Sequence, residues 1–390
     1  MTVGSRDMMD GLEDKDTILF IQRRYHTNQY PTVTALQEHG HTVRFLSLRR
    51  GPNEDYSNLE PDFLSYSWLF LLCYSFAKYL FGSNFLHRYG IPRPLWYYRY
   101  LTDVKPDLII VKKYFAISFV TVLFARLLDI DILFYDQAPV YADSSSYKKR
   151  RLMSKFYYLL YKERFVRYSP VLGNPDEELA LPRSYYIPFV APRSPQSLER
   201  EYAGDQVNIM MVGKLGQERK NHLLLLRAVN SLRDEFDLSV TLIGSLADET
   251  DDYYNRIKSY VSQQGLEDTV TIRANLEYDT VQQAYRNHDV YVLPSRGEPA
   301  AVSHLEAMRY GLAIICTETN GTSCYIDEGQ NGYLIAEDDQ NDLETKLRKL
   351  LQSRDKVRMF GAHSRHLTET KFSGDEFYKH LSSLVAENYE

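Results

Sequence analysis

Cysteine is scarce in this chain of 390 residues, and its placement excludes two kinds of site. The three cysteines, Cys73, Cys316 and Cys324, are far apart, odd in number and without metal-ligand spacing. A disulfide framework needs paired cysteines in an oxidising compartment. We therefore predict a cytoplasmic protein in which disulfides and structural metals play no part.

Apolar runs of bilayer length are also missing. The stretch FLSYSWLFLLCYSFA (63–77) carries no charge over fifteen residues, but a spanning helix needs roughly 20 apolar residues. This stretch predicts a buried or interfacial helix. The first sixteen residues are acidic and polar, which is not the pattern of a secretory signal.

The net charge of −6 divides unevenly between the two halves. Residues 1–195 carry five more basic than acidic side chains, and residues 196–390 carry eleven more acidic than basic ones. The segment SYKKRRLMSKFYYLLYKERFVRYSP (146–170) mixes cations and aromatics at helical spacing. It predicts either peripheral contact with an anionic membrane or a solvated helix packed by its aromatic side. Chance variation in composition is the alternative for the charge difference, and we predict no nucleic-acid partner.

Short apolar runs alternate with helical patterns along the whole chain. DTILFIQ (16–22) and VNIMMVGKL (207–215) predict buried strands, and each is followed by a helix. Such alternation produces parallel sheets with right-handed crossovers. Because the length suits two domains, we predict an α/β protein with two doubly wound, Rossmann-like domains. Ligands would bind in the cleft between the carboxyl ends of the two sets of strands.

Two glutamates flank a small-residue stretch in SRGEPAAVSHLEAMRYG (295–311). Glu298 precedes a proline, which is favoured at the first position of a helix. The amides of Ala300, Ala301 and Val302 would then point out of the helix start, where anions bind. Glu298 and Glu306 could hydrogen-bond hydroxyls on either side of a diphosphate, as in a nucleotide sugar. The alternative is a capped surface helix with two solvated glutamates.

The loop in VGKLGQERKNHLLLL (212–226) supplies cations at the end of a predicted strand. Gly213 and Gly216 permit a tight turn and close backbone approach. Lys214 and Lys220 flank this turn, with Arg219 as a third cation, and they could neutralise a diphosphate leaving group. A solvated basic loop is the alternative. Both this loop and the glutamate helix follow strands of one predicted sheet, so they would meet at its carboxyl edge.

These residues resemble a known family. The loop above, together with the stretch VLPSRGEPAAVSHLEAMRYGLAIICTETNGTSCYIDEGQNGYLI (292–335), is similar to the nucleotide-binding domain of retaining family-4 glycosyltransferases of the GT-B fold. The resemblance spans about residues 207–336, and the first half matches in architecture alone. It implies that Glu298 contacts the donor sugar and Glu306 the nucleotide ribose. It further implies that the diphosphate is held by the amides at 300–302, Lys214 and Lys220, and that Arg273 and Ala274 border the base.

The chain departs from the family pattern on the acceptor side. Cys324 stands where many members have a glutamate, and the loop after the first strand contains no glycine. Asp136 and Gln137 occupy the region in which many members carry a histidine. His26, Asn28 and Asp136 follow first-domain strands and are candidates to position the acceptor hydroxyl, or they are ordinary loop residues. His304, inside the glutamate helix, is expected to be packed rather than catalytic.

From these observations we predict a retaining, metal-independent glycosyltransferase of the hexosyltransferase type that needs no cofactor. Its donor would be a UDP- or GDP-sugar, and its acceptor a glycan or lipid-linked glycan at the cytoplasmic face of a membrane. A nucleotide-sugar epimerase, a phosphorylase and a non-catalytic GT-B subunit are the alternatives. The predicted domains are an acceptor-binding domain with candidate membrane-contact helices (1–190), a linker (191–206), a nucleotide-sugar-binding domain (207–365) and a C-terminal helix (366–390).

Overall fold

Two parallel sheets organise the chain. The computed structural model describes residues 11–51, 55–81, 90–112, 116–137, 166–172, 183–195 and 206–389. The chain divides into two units, one formed by Met1–Val190 with Gly374–Glu390 and the other by Ala191–Ser373. Each unit contains one sheet with helices packed against it. This arrangement confirms the prediction of two doubly wound α/β domains.

The sheet of the first unit has the strand order β3-β2-β1-β4-β5-β6-β7 among the described residues, and all its pairs are parallel. The chain runs outward from β1 to β3 and then returns to β4, so the order reverses between β1 and β4. Such a reversal is the usual ligand position in open α/β sheets. The strands are β1 Thr17–Gln22, β2 Thr42–Ser47, β3 Asp62–Phe63, β4 Leu108–Lys112, β5 Asp131–Tyr135, β6 Val166–Ser169 and β7 Ser184–Tyr186.

The sheet of the second unit has the order β10-β9-β8-β11-β12-β13, again with parallel pairs. Its reversal lies between β8 and β11, whose carboxyl ends carry the two loops singled out in the sequence. The central strands are buried on both faces, which explains their continuous apolar runs. The strands are β8 Val207–Val212, β9 Leu238–Gly244, β10 Val270–Ala274, β11 Val290–Leu293, β12 Ala313–Thr317 and β13 Gly332–Ile335.

The α-helices that cover these sheets follow the predicted alternation. Pro31 lies in the first turn of the first helix, and Gly40, at φ 94°, follows its end. The helices are α1 Tyr30–Glu38, α2 Trp68–Phe81, α3 Pro94–Val104, α4 Ala116–Leu128, α5 His222–Leu232, α6 Asp252–Gln263, α7 Tyr278–Arg286, α8 Val302–Arg309, α9 Gln340–Leu351, α10 Arg354–Glu369 and α11 Gly374–Tyr389.

The uncharged stretch and the basic segment of the sequence both overlap elements of the first unit. The uncharged stretch 63–77 covers the end of β3 and most of α2, as an interfacial or buried helix would. The predicted basic helix 146–170 is wrong at its end, because Val166–Ser169 forms the buried strand β6 between β5 and β7. Residues 146–165 of that segment, and residues 196–205 of the predicted linker, lie outside the described residues. Across the described part of the chain, no helix is both long enough and apolar enough to cross a membrane.

Helix α11 packs in the first unit, although it follows the second unit in the chain. The ring of Tyr378 stacks on His39 with 3.9 Å between centroids. The Ser382 hydroxyl accepts the N–H of Leu12 at 3.3 Å. A Cβ added at Gly374 would lie 2.9 Å from Cβ of Ala35, so glycine allows the close approach to α1. Helix α10 runs through residue 366, and the terminal helix begins at Gly374.

The second unit has one particularly close backbone approach. A Cβ added at Gly244, the last residue of β9, would lie 1.8 Å from the carbonyl oxygen of Gly213 at the end of β8. That contact is far shorter than any real Cβ contact, and its partner is backbone rather than a movable side chain. Glycine at position 244 is therefore a requirement of the strand spacing at the candidate site.

We expect Gly244→Ala to destabilise the second unit by at least about 2 kcal/mol, because the added methyl group must displace backbone. Differential scanning calorimetry should show a fall in melting temperature of roughly 4–8 °C. Ser245→Ala is the matched control, since Ser245 is the next residue and its side chain is exposed. Equal melting temperatures for the two variants would contradict the argument.

Candidate functional site

The loops that follow β8 and β11 meet at the carboxyl end of the second sheet. These two strands are paired in the sheet, so the loop beginning at Gly213 lies beside the loop beginning at Pro294. The backbone N–H of Arg296 donates to the carbonyl of Arg219 at 2.7 Å and joins the loops directly. The structure thus brings together the two segments that the sequence marked separately.

Glu298 is buried, with 5% of its surface exposed, and two cations hold it. Arg219 Nη1 donates to Oε2 at 2.6 Å, and Lys220 Nζ donates to the same oxygen at 2.5 Å. Both cations belong to the short 3₁₀ turn Glu218–Lys220. Among the described residues, no donor is recorded for the other oxygen, Oε1. A carboxylate fixed through one oxygen can orient a ligand hydroxyl with the other.

Opposing effects set the ionisation of this group. Burial raises the pKa of the Glu298 carboxyl, but the charges and hydrogen bonds of Lys220 and Arg219 outweigh it, and the pKa lies below its ordinary value. Burial lowers the pKa of the Lys220 ammonium, and the charge of Glu298 counters part of that effect. The carboxyl is therefore ionised at neutral pH, and its charge is balanced inside the site.

Helix α8 begins later than the sequence suggested. Its first residue is Val302, so the expectation that Pro299 opens the helix is wrong. The carbonyl of Glu298 accepts the N–H of Gly321 at 2.8 Å, which ties the segment to a neighbouring turn and holds it out of the helix. The cap residue Ala301 has an extended backbone.

The amides near this helix start are not equivalent. Ala301 donates its N–H to the Thr322 hydroxyl at 3.3 Å. Within the described part of the chain, the amides of Ala300 and Val302 have no recorded acceptor, and no side chain caps the helix. Two of the three amides predicted to hold the diphosphate are thus available for an anion at the positive end of the helix dipole.

Glu306 lies inside α8 and is half-buried. The Tyr285 hydroxyl donates to its Oε2 at 3.0 Å. Burial raises the pKa of Glu306 above its ordinary value, against the opposing effects of Tyr285 and Arg309. Glu306 therefore faces a less polar environment than Glu298, and its geometry leaves it a second carboxylate oxygen for a ligand.

His304 is fully buried on the same helix. Its Nδ1 lies 2.9 Å from the Thr322 hydroxyl, and burial lowers its pKa to about 3. The imidazole is thus neutral at physiological pH. As expected from the sequence, His304 is a packed side chain, and it helps to fix the turn that contains Thr322.

The remaining predicted donor residues occupy different positions around the loops. A Cβ at Gly213 would lie 3.3 Å from the side-chain carbons of Lys220, which therefore runs across this glycine. A Cβ at Gly216 would lie 2.6 Å from the carboxylate of Asp251, so a larger residue there would require this side chain to move. Lys214 is exposed, and its charge slightly lowers the pKa of Lys220. Lys214 lies in the same loop but does not hold Glu298.

Arg273 and Ala274 end strand β10. Arg273 is exposed, and Ala274 is paired in register with Gly244 of β9. They lie at the same carboxyl edge of the sheet as the other predicted donor residues, two strands from Gly213. Their contact with a nucleotide base remains a prediction.

Three contacts of the site were not foreseen from the sequence. The sequence indicates Arg219 only as a third cation of the loop, yet Arg219 shares the Glu298 carboxylate with Lys220. The partnership of Tyr285 with Glu306 and the role of Thr322 at the helix start had no sequence signal. Only the adjacency of Arg219 and Lys220 could have suggested the shared carboxylate.

The candidate acceptor residues all lie in the first unit. Arg24 Nε donates to His26 Nε2 at 2.8 Å, and burial with nearby positive charges lowers the pKa of His26 to about 3. Asn28 is buried. Asp136 is buried after β5, with Arg167 Nε 3.7 Å from its Oδ2. The three follow strands β1 and β5, and their role toward an acceptor is untested.

Metal sites in proteins are built from clustered His, Cys, Asp and Glu side chains. Among the described residues, no group of three or more His, Cys, Asp or Glu side chains is placed to hold a metal ion. In the acidic segment 248–252, Asp251 caps α6 by accepting the N–H of Tyr254 at 3.0 Å. Asp251 thus has a structural role at the start of this helix.

Part of the chain is similar in sequence to known proteins. Residues 197–367 match the family model of glycosyl transferases group 1. The chain is 28% identical over 185 residues to spore coat protein SA of Bacillus subtilis, covering 46% of this chain and 48% of that protein. It is 30% identical over 134 residues to D-inositol 3-phosphate glycosyltransferase of Paenarthrobacter aurescens, covering 34% of this chain and 32% of that protein. The aligned stretches thus span about half or less of these relatives.

The fold has close counterparts among solved structures. A glycosyltransferase from Rickettsia africae superposes with a TM-score of 0.67 at 16% identity, over 97% of this chain and 99% of that one. At this identity the likeness establishes the fold alone. The chain therefore has the GT-B fold, and its residues 197–367, which contain the Glu298 site, match the family model of the group 1 glycosyltransferases.

Proposed function

We propose that this chain is a retaining glycosyltransferase that moves a sugar from a UDP- or GDP-sugar to a hydroxyl of a glycan or lipid-linked glycan. The observation that carries the proposal is the buried Glu298 carboxylate, held by Arg219 and Lys220 beside the start of α8 in a group 1 domain. A carboxylate can bind the sugar hydroxyls of such a donor. Cations and helix amides can bind its diphosphate and stabilise the charge that develops as the bond breaks.

Glu298 is the residue to which we assign the donor sugar. Its Oε2 is held by the two cations, and its Oε1 is available to accept from a sugar hydroxyl. Because its pKa is lowered, it stays ionised and can also stabilise positive charge on the sugar ring as the glycosidic bond breaks. Glu306, with one oxygen held by Tyr285, is assigned to the ribose by resemblance.

Lys220 and Arg219 are assigned to the leaving diphosphate. An ammonium group has three donors and a guanidinium has five, so each can bind Glu298 and a phosphate oxygen together. The burial that lowers the pKa of Lys220 also strengthens its attraction for a phosphate charge. The amides of Ala300 and Val302 and the exposed Lys214 would add to this stabilisation. In the family mechanism, acceptor attack and diphosphate departure take place on the same face of the sugar, and the diphosphate accepts the acceptor proton.

Membrane contact is a further part of the proposal, and α2 supports it. Five large side chains of this helix are between 58% and 86% exposed: Trp68, Leu69, Leu72, Phe76 and Tyr79. The helix contains no acidic residue and has Lys78 in its last turn. At about 21 Å it is too short to span a bilayer of ~30 Å. An apolar helix with aromatic ends and a basic surrounding unit suits the interface of an anionic membrane.

Glu298→Gln should lower turnover by at least about 100-fold, because the variant loses the charge that stabilises the transition state. Product formation from a labelled donor measures this loss, and the melting temperature shows whether the protein is folded. Glu328→Gln is the matched control, since Glu328 pairs with Lys346 at 2.8 Å on the exposed surface of the same unit. Near-normal turnover of Glu298→Gln would overturn the assignment.

A thermal-shift screen against UDP-, GDP- and ADP-sugars should identify the donor, because a ligand that binds only the folded state raises the melting temperature. Lys220→Ala should lose most of the shift given by the bound sugar, whereas Lys346→Ala should retain it. A labelled donor without acceptor separates the alternatives, since an epimerase converts the donor alone. Absence of any shift with all three nucleotides would contradict the transferase proposal.

The α2 surface predicts reversible binding to anionic vesicles. Leu72→Ser with Phe76→Ser should weaken co-sedimentation with phosphatidylcholine–phosphatidylglycerol vesicles at least about tenfold, because two apolar side chains no longer enter the interface. Met359→Ser is the control, since Met359 is 68% exposed in the second unit. Equal binding of both variants, or equal binding of the wild type to pure phosphatidylcholine, would count against this surface.

A further inference from the structure

Glu306 and Glu298 are held by different kinds of partner. Two cations bind Glu298, whereas Glu306 accepts one recorded hydrogen bond, from the neutral hydroxyl of Tyr285 at 3.0 Å. Glu306 is half-buried, and within residues 206–389 no ion pair is recorded for it and no donor for its Oε1. Its charge is thus not compensated by a cation there. Such a carboxylate binds hydroxyl groups strongly, because hydrogen bonds to a charged acceptor are stronger than neutral ones.

The cation that follows Glu306 on α8 is engaged by other groups. Arg309 lies three residues after Glu306, and its Nη2 donates to Gln282 Oε1 and, at 2.8 Å, to the Tyr310 hydroxyl. The Tyr310 hydroxyl in turn donates to Gln282 Oε1 at 3.0 Å. These three polar side chains therefore bind one another between α7 and the end of α8, and they leave Glu306 to Tyr285.

The ring of Tyr285 has a fixed position. Tyr285 lies on α7 and is fully buried. Its ring is parallel to that of Tyr310, with 5.7 Å between centroids and 2° between planes. The ring of Tyr291, from β11, lies 6.2 Å away. Because a buried ring in a packed interior has little freedom to move, these contacts fix the direction of the Tyr285 hydroxyl.

The hydroxyl of Tyr291 has different partners. It lies 2.7 Å from Ser303 Oγ and 3.2 Å from the carbonyl oxygen of Val212. Of the three tyrosines packed together here, Tyr285 is therefore the one with a recorded hydrogen bond to Glu306, in the part of the chain that the structure describes. A buried tyrosine hydroxyl usually finds a hydrogen-bond partner, and for Tyr285 that partner is a carboxylate of the candidate donor site.

We propose that Tyr285 is a positioning residue of the donor site: its hydroxyl holds Oε2 of Glu306, so that Oε1 meets the hydroxyls of a nucleotide ribose. This inference rests on the proposed function, because it concerns the orientation of the residue assigned to the ribose. Ribose hydroxyls are neutral donors, and a carboxylate that is oriented by a neutral hydroxyl keeps its charge for them. A cation at the position of Tyr285 would compensate that charge.

The ionisation of Glu306 depends on the groups around it. Burial raises its pKa above the ordinary value, and the hydrogen bond from Tyr285 and the charge of Arg309 offset part of this effect. The carboxylate is faced by Tyr285 from α7 and by Tyr291 from β11; burial raises the pKa of both phenols, so both are neutral at physiological pH. Because the Tyr285 hydroxyl donates to the ionised carboxylate, its removal should raise the pKa of Glu306 further.

Calorimetric titration with nucleotides tests the positioning role. UDP, GDP and ADP are compared with their 2′,3′-dideoxy analogues, which lack both ribose hydroxyls. The wild type should bind its preferred nucleotide at least about tenfold more tightly than the dideoxy analogue, which is the effect of losing hydrogen bonds to a charged group. Tyr285→Phe should lose most of this preference. As the pH falls below neutral, Tyr285→Phe should also lose nucleotide affinity at a higher pH than the wild type, because its Glu306 is protonated first.

Tyr310→Phe is the matched control, because it removes the buried hydroxyl of the stacked ring, which binds Gln282 and Arg309 rather than Glu306. Tyr310→Phe should keep the ribose preference. Glu306→Gln should lose it, and adding Tyr285→Phe to Glu306→Gln should cause no further loss, because both changes act on one contact. An unchanged preference in Tyr285→Phe, or an equal loss in Tyr310→Phe, would overturn the proposal.

A titration of the free protein keeps this inference separate from the proposed function. Carboxyl ¹³C NMR follows Glu306, whose signal is assigned by its absence in Glu306→Gln. Tyr285→Phe should raise the pH at which Glu306 is protonated, and Tyr310→Phe should not raise it. If nucleotides bind but Tyr285→Phe changes neither this titration nor the ribose preference, the positioning role fails and the transferase proposal stands. If UDP, GDP and ADP all fail to bind, the transferase proposal fails, and the role toward ribose fails with it.

Discussion

The positions of two loops in the second unit depend on the ion pair that Glu298 forms with Lys220 and Arg219. A buried carboxylate is costly unless cations compensate it, and here both cations reach one oxygen from adjacent residues of a single turn. That turn follows β8 and the carboxylate follows β11, so the ion pair also fixes the register of two loops at the point where the strand order reverses. Loop geometry and the donor binding that we propose therefore depend on the same contact.

The sequence predicted the structure correctly where the spacing of apolar residues alone determines a strand or a helix. The alternation of strands and helices, the two-unit division and the eight-residue separation of Glu298 and Glu306 could all be read from the residues. It failed where tertiary contacts override local preference. Pro299 has the local character of a helix start, but the hydrogen bond from Gly321 to the carbonyl of Glu298 keeps this segment extended. The sequence could not show that Lys220 pairs with Glu298. A lysine at this position is equally expected whether it binds a phosphate or pairs with a carboxylate.

The strand-end cations and the exposed apolar side chains of the first unit lie on different elements. Lys15, Arg44 and Arg50 each pair with a carboxylate, and Arg23, Arg24, Arg49 and Lys112 lie at or just after the carboxyl ends of β1, β2 and β4. On α2 the same unit exposes aromatic and aliphatic side chains beside a single lysine. The exposed apolar side chains of α2 are therefore separate from the strand ends that carry these cations.

The packing of α11 against α1 has a consequence for biosynthesis. Residues 374–389 leave the ribosome after all of the second unit has been made, yet Tyr378 and Ser382 complete the first unit through His39 and Leu12. The unit that is translated first is therefore finished last, and the second unit can fold while its predecessor still lacks a helix. Until translation reaches these residues, the apolar face of α1 that receives α11 stays uncovered and accessible to chaperones.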